Sequence, residues 1–220
     1  MGDRPLRVSV VIPLAPGERE GRELAESLAQ GAPDAEVLFA SAEDPPADWD
    51  PPAAARWVRC PDAGRAQQMN LGAEVSAGEH IWFLHADSRI DDEACSLLAD
   101  AIGTHPDALH YFRLRFFDGG RIMRVNEWGA DLRSRWFGAP FGDQGFCLSR
   151  EIFGKLGGYD ESCSYGEDHL LARQACKAGV KLNRIDHPLG TSARRYASEG
   201  WLKLVLSYQR KWIAQAIGDR

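Results

Sequence analysis

Three stretches of this sequence place acids where chemistry needs them. His85-Ala86-Asp87 ends the apolar run HIWFLH, and a carboxylate just past a buried strand sits on the rim where α/β sheets bind ligands. One or two such groups, with substrate phosphates, suffice for a hard divalent cation such as Mg²⁺ or Mn²⁺. Glu167-Asp168 opens a helical stretch in which Asp168, Leu171 and Ala175 recur at i, i+3 and i+7. That face is apolar, so Asp168 points toward the protein body, and an inward carboxylate at a helix start can serve as a general base. Gly142-Asp143-Gln144-Gly145 sets two polar side chains between glycines, a loop where backbone can approach a ligand.

Two further stretches suit a phosphate. Gly64-Arg65-Ala66-Gln67-Gln68-Met69-Asn70 opens a helix whose first N–H groups can bind an anion, with Arg65 as a guanidinium fork. Thr191-Ser192-Ala193-Arg194-Arg195-Tyr196 places two arginines beside hydroxyls. Each of the five stretches also has a plain reading: a cap, a turn, a helix start or a surface charge pair. No G-x-G-x-x-G follows Ile12 and no G-x-x-x-x-G-K-[ST] is present, which argues against a Rossmann dehydrogenase, a methyltransferase or a P-loop enzyme.

The elements that must position these residues follow from pattern. Arg7–Ile12 reads as a buried parallel strand stopped by Pro13. A helix fits 18–30, a strand 36–41, and a proline-rich loop 43–55. A strand fits 56–60, a helix 64–77 and a strand 80–85. This order predicts an α/β, mostly parallel sheet with flanking helices, its ligand rim formed by the turns after Ile12, Ser41 and His85. Beyond residue 90 the pattern gives a strand over 109–117, a helix over 121–136, a short strand over 145–148, and helices over 150–156, 167–178 and 198–217. We read one domain over 1–220, with a Rossmann-like, sheet-based half (1–90) and a mixed half (91–220).

Composition narrows the classes. The chain has 220 residues, 44% of them hydrophobic and 26% charged, which is enough for a core without disulfide or metal staples. The net charge of −6 argues against a nucleic-acid partner. The five cysteines lack C-x-x-C spacing and read as buried reduced thiols of a cytoplasmic protein. No stretch approaches the roughly 20 apolar residues of a membrane span. Trp201–Tyr208 allows a peripheral membrane contact, or packing against the body or a second subunit as in a homodimer.

Taken in order, VSVVIP (8–13), GRAQQMNLGAEVSAGEHIWFLHADSRI (64–90), FGDQGFCLSREIFGKLGGYDE (141–161), GEDHLLARQACKAG (166–179) and TSARRY (191–196) resemble the family 2 glycosyltransferases of the GT-A fold. The subgroup they resemble most is the radical-SAM/selenodomain-associated transferase 2. The resemblance implies an inverting transfer from a nucleotide-diphosphate sugar, usually UDP-linked, to a hydroxyl acceptor, with a divalent metal. It puts the D-x-D element on His85-Ala86-Asp87, with Asp87 as metal contact, and the E-D pair on Glu167 and Asp168, with Asp168 as base. Pro13, Arg65, Asn70, His85, Arg194 and Arg195 fall to the donor; Asp143, Gln144 and Glu167 line the sugar or acceptor side.

The chain departs from the family after Pro13, where Leu14-Ala15-Pro16-Gly17-Glu18 lacks the usual P-x-x-N-E, and after Ser41, where the nearest acids are Glu43 and Asp44. Gln209-Arg210-Lys211-Trp212 is not the Q-x-x-R-W of processive members. Two other classes stay open: a nucleotidyltransferase on a related sheet, and a non-catalytic nucleotide-sugar-binding protein.

Overall fold

The computed structural model describes residues 7–18, 21–50, 52, 55–163 and 166–199. Seven strands form one sheet in the order β3-β2-β1-β4-β6-β5-β7. They are β1 (Val8–Leu14), β2 (Glu36–Ser41), β3 (Ala55–Arg59), β4 (His80–Phe83), β5 (Leu109–Phe116), β6 (Cys147–Ser149) and β7 (Leu182–Thr191). β1 pairs in parallel with β2 and β4, β2 with β3, and β5 with β7; β6 runs antiparallel between β4 and β5. The sheet is therefore mostly parallel, as the sequence predicts.

Alternation builds a core on both faces of the sheet. Val11 points to one side with Leu38, Ile81, Phe83 and Leu148, and meets α2 (Arg65–Val75), α5 (Arg150–Leu156) and α6 (Glu167–Lys177). Val10 and Ile12 point to the other with Val37, Phe39 and Trp82, and meet α1 (Arg22–Gly31) and α3 (Asp92–Thr104). Strands covered on both faces read as continuous apolar runs. The side chains of Asp91 and Ser149 cap α3 and α5 by accepting from Ala94 N and Ile152 N. A smaller cluster of Leu114, Phe116, Met123, Ala130 and Ala193 ties α4 (Met123–Phe137) and the start of α7 (Arg194–Glu199) to β5.

Some expectations shift. β1 continues through Pro13 to Leu14, and β4 ends at Phe83, before His85. β7, unassigned by pattern, lies at the sheet edge, where the missing N–H of Pro188 is tolerated. A bulge lets two residues, Asp186 and His187, intervene between the partners of Phe112 and Arg113. Cys60, Cys95 and Cys147 are buried, whereas Cys163 is half-buried and Cys176 exposed, so the thiols are not uniformly interior. Most of the helix expected over 198–217, the Trp201–Tyr208 stretch and Gln209–Trp212 lie outside the described residues.

Candidate active site

β1 has β2 on one side and β4 on the other, so the chain reverses its winding direction there. In open α/β sheets the crevice beyond the strand ends at such a point receives the ligand. Here it is a cleft of about 850 Å³. Its walls come from Pro13 near the end of β1 and Glu18 beyond it, Gly64, Arg65 and Gln68 at the start of α2, and His85 and Asp87 after β4. Further walls include Val125, Trp128 and Arg133 of α4, the 141–143 segment, Glu167 and Asp168 of α6, Thr191 at the end of β7, and Ser192, Arg194, Arg195 and Tyr196 beyond it. Chain segments more than a hundred residues apart thus converge on one space.

The cleft holds an acid pair with its counter-ion. Glu167 and Asp168 form the first turn of α6, which the helix dipole favours. Both are buried, at 8% and 7% exposure. Arg65 Nη2 donates to Asp168 Oδ2 at 2.6 Å, and its Nε lies 3.4 Å from Glu167 Oε1. The same Nη2 meets His85 Nε2. Burial and the Arg65 charge hold the His85 pKa well below its usual value, so the ring is neutral and Nε2 accepts. Burial raises Asp168 to about 6; Glu167 and Asp143 add to the rise, while Arg65 and the Gly142 N–H oppose it. Above that pH Asp168 is a carboxylate, desolvated and basic.

Gly142 explains why this carboxylate can sit where it does. It starts a short 3-10 turn, Gly142–Gln144, and a Cβ on it would overlap the Asp168 carboxyl group. Gln144 braces the turn: its Nε2 donates to Phe112 O at 2.9 Å and its Oε1 accepts from Phe141 N at 3.1 Å. At 1% exposure, Gln144 lies outside the cleft lining, so it shapes the loop rather than the substrate side. Asp143 does line the cleft. Its pKa is raised by burial, with Arg133 and Arg65 acting against the rise.

Asn70 is also placed otherwise than expected. Its Nδ2 donates to Tyr159 O at 2.9 Å and Glu161 Oε1 at 2.8 Å, and its Oδ1 accepts from Tyr159 N at 2.9 Å. Asn70 is not among the cleft-lining residues; it clamps the turn that delivers Tyr159. Gly158 in that turn has φ +74 and Asn70 Oδ1 only 2.8 Å from where a Cβ would be, so a side chain there is both strained and crowded. Tyr159 is buried, and burial together with the Asp168 charge lifts its phenol well above 10.

Asp87, two residues beyond His85, is half-buried and accepts the Ser192 N–H; burial raises its pKa, and Arg194 acts against the rise. Arg194 Nη2 lies 2.8 Å from Glu18 Oε2, linking the end of β1 to the start of α7. Arg195 lines the same cleft. Pattern reading missed three cleft residues. Gln68 donates to Leu14 O at 2.7 Å, Glu18 pairs with Arg194, and Arg133 stacks 3.7 Å above the Phe141 ring. Each belongs to a helix or turn whose spacing fits an ordinary surface, so only three-dimensional convergence exposes it.

The family described as Glycosyl transferase family 2 matches residues 23–158. The chain belongs to that family. It carries a glycosyltransferase domain, and its fold agrees with solved structures. The crystal structure of S. aureus TarS has a TM-score of 0.67 at 14% identity, covering 86% of this chain and 37% of that one. For TarS 1–349 the TM-score is 0.67 at 15% identity, with 85% and 60% coverage. For TarS 1–349 in complex with UDP it is 0.65 at 15% identity, with 86% and 61% coverage. This chain thus spans between about two fifths and three fifths of the TarS chains it matches. No curated protein matches it in sequence.

Proposed function

We propose that this chain is an inverting glycosyltransferase that moves a sugar from a nucleotide-diphosphate donor, UDP-linked by preference, to a hydroxyl acceptor. The observation that carries the reading is the buried Asp168 carboxylate, held against Arg65 in the same cleft as Asp87, Arg194 and Arg195. The ordered motifs favour the radical-SAM/selenodomain-associated subgroup, and the UDP complex of TarS supports the choice of nucleotide. In this reading residues 1–90 form the nucleotide-binding half and 91–220 the acceptor and catalytic half, which also sends Arg194 and Arg195 to the diphosphate, within one domain.

Asp168 accepts the acceptor's hydroxyl proton as that oxygen attacks the anomeric carbon from the face opposite the leaving diphosphate. Charge builds on the diphosphate as the bond to the sugar breaks. Arg194 and Arg195, from the β7–α7 turn, offer that charge guanidinium forks. Arg65 is already committed to the acid pair. Its part is to keep Asp168 ionised rather than to grip phosphate.

Among the described residues no cluster of three His, Cys, Asp or Glu forms a metal cage. One partly buried carboxylate fits an ion that completes its shell with phosphate and water oxygens, as Mg²⁺ and Mn²⁺ do. Asp87 would hold such an ion, which would neutralise charge on the diphosphate.

The deciding experiment is release of UDP from a panel of UDP-sugars by the wild type and by Asp168→Asn. Release that depends on Asp168 supports the enzyme. Tight UDP binding with no release from any donor sugar would favour a non-catalytic nucleotide-sugar-binding protein.

A further inference from the structure

Helix α4 is apolar on two opposite sides. Met123, Ala130 and Ser134 face inward and are buried. Val125, Trp128, Leu132 and Trp136 are 57%, 67%, 38% and 78% exposed. At the α-helical period these four fall within about 80° on the outer side. Ile122 and Phe137, at the helix ends, are exposed as well. A surface helix needs one apolar stripe, toward its core; a second one, rich in tryptophan, marks an interaction surface.

The charges beside the stripe say what covers it. Arg121–Phe137 holds four arginines and two acids in a chain of net charge −6. Both acids are engaged: Glu127 accepts from Phe116 N at 2.9 Å, and Asp131 takes Arg184 Nη2 at 2.7 Å and Arg135 Nη1 at 3.4 Å. The outer margin is left to Arg121, Arg124 and Arg135, all exposed. Arg121 and Arg124 have no ion pair among the described residues. A second copy docked here antiparallel about a two-fold axis would bring this basic margin against itself. Anionic headgroups complement it, while Trp and Phe settle at the boundary between headgroups and acyl chains. Among the described residues no helix is long and apolar enough to cross a membrane, so α4 would lie in that boundary. Val125 and Trp128 also line the cleft, which joins the stripe to the acid pair.

We propose that α4 docks on an anionic lipid surface and that the acceptor hydroxyl belongs to an amphiphile held there. The second half of this inference rests on the glycosyl-transfer reading; the first does not.

The test is sedimentation of the full chain with phosphatidylcholine vesicles, with and without phosphatidylglycerol. Binding is expected only with phosphatidylglycerol, weakened by salt. The double variants Leu132→Gln/Trp136→Gln and Arg121→Glu/Arg124→Glu should each weaken it about tenfold or more, with thermal stabilisation by UDP unchanged. Absence of vesicle binding, or binding that survives both double variants, would overturn the proposal. So would a solution dimer that Leu132→Gln/Trp136→Gln dissociates, because a second copy would then be the occupant. UDP release without vesicle binding would leave the catalytic reading standing and remove this one. Vesicle binding without UDP release would do the reverse for the docking surface.

Discussion

Arg65 and Asp168 set the chemistry against each other's cost. Burying a lone carboxylate raises its pKa, and a guanidinium within hydrogen-bond reach brings it back. Asp168 ends at about 6. In the proposed mechanism the working base is the Asp168 carboxylate, so turnover should rise with pH through about 6 and level off above it, as a pH–rate profile at saturating donor would show. Removing the counter-ion with Arg65→Gln should move that limb upward by about 1–3 pH units. An unmoved limb would mean another group titrates. Asp168→Asn should cost roughly 10²–10⁴-fold in turnover while UDP affinity holds, because the amide is nearly isosteric. Glu167 starts the same helix about a hundred degrees away and touches Arg65 through Nε, not Nη2. Glu167→Gln should therefore cost far less than Asp168→Asn, and equal losses measured side by side would dissolve the distinction.

Elements, not single side chains, give Asp168 its place. The 3-10 turn at Gly142 and the first turn of α6 fit only because Gly142 has no side chain. Gly142→Ala must push the carboxyl group aside, and a displacement of about 1 Å can cost about 10²-fold in rate. Turnover should fall by that order while far-UV dichroism stays native; normal turnover would show that the turn gives way freely. This coupling also marks where sequence reading stops. The apolar runs at Val8–Ile12, Glu36–Ser41 and His80–Leu84 announce buried parallel strands because their period is local. β7 hides because an edge strand tolerates polar residues and Pro188. Asp168 was legible as inward-facing from i, i+3 and i+7 spacing. Asn70 and Gln144 have the chemistry of ligand-binding amides, but whether an amide meets substrate or backbone depends on partners 89 and 32 residues away. No local pattern holds that information, and the same is true of Arg133 over Phe141.

For the whole molecule, the change of winding direction at β1 opens one cleft in which the turn after β4 meets the β7–α7 turn. Asp87, on the first, accepts the Ser192 N–H from the second, and Arg194 spans back to Glu18 after β1. A diphosphate seated here would tie the two halves of the sheet together, so donor binding should register as global stability. UDP at a hundredfold excess over its Kd adds about 2.7 kcal/mol. For a chain of this size that raises the melting temperature by about 5–11 °C. Mn²⁺ should enlarge the UDP-induced shift in the wild type and do little without nucleotide, since Asp87 alone is a poor cage. Asp87→Ala should lose the Mn²⁺ increment but keep the apo melting temperature, because burial already disfavours the ionised carboxylate in the folded chain. Arg194→Ala with Arg195→Ala should reduce the shift from UDP much more than that from uridine, since only the former brings the diphosphate. Should UDP alone match UDP with Mn²⁺ in the wild type, Asp87 has no metal to hold. The diphosphate charge would then fall to the two arginines, and their double variant should abolish the shift.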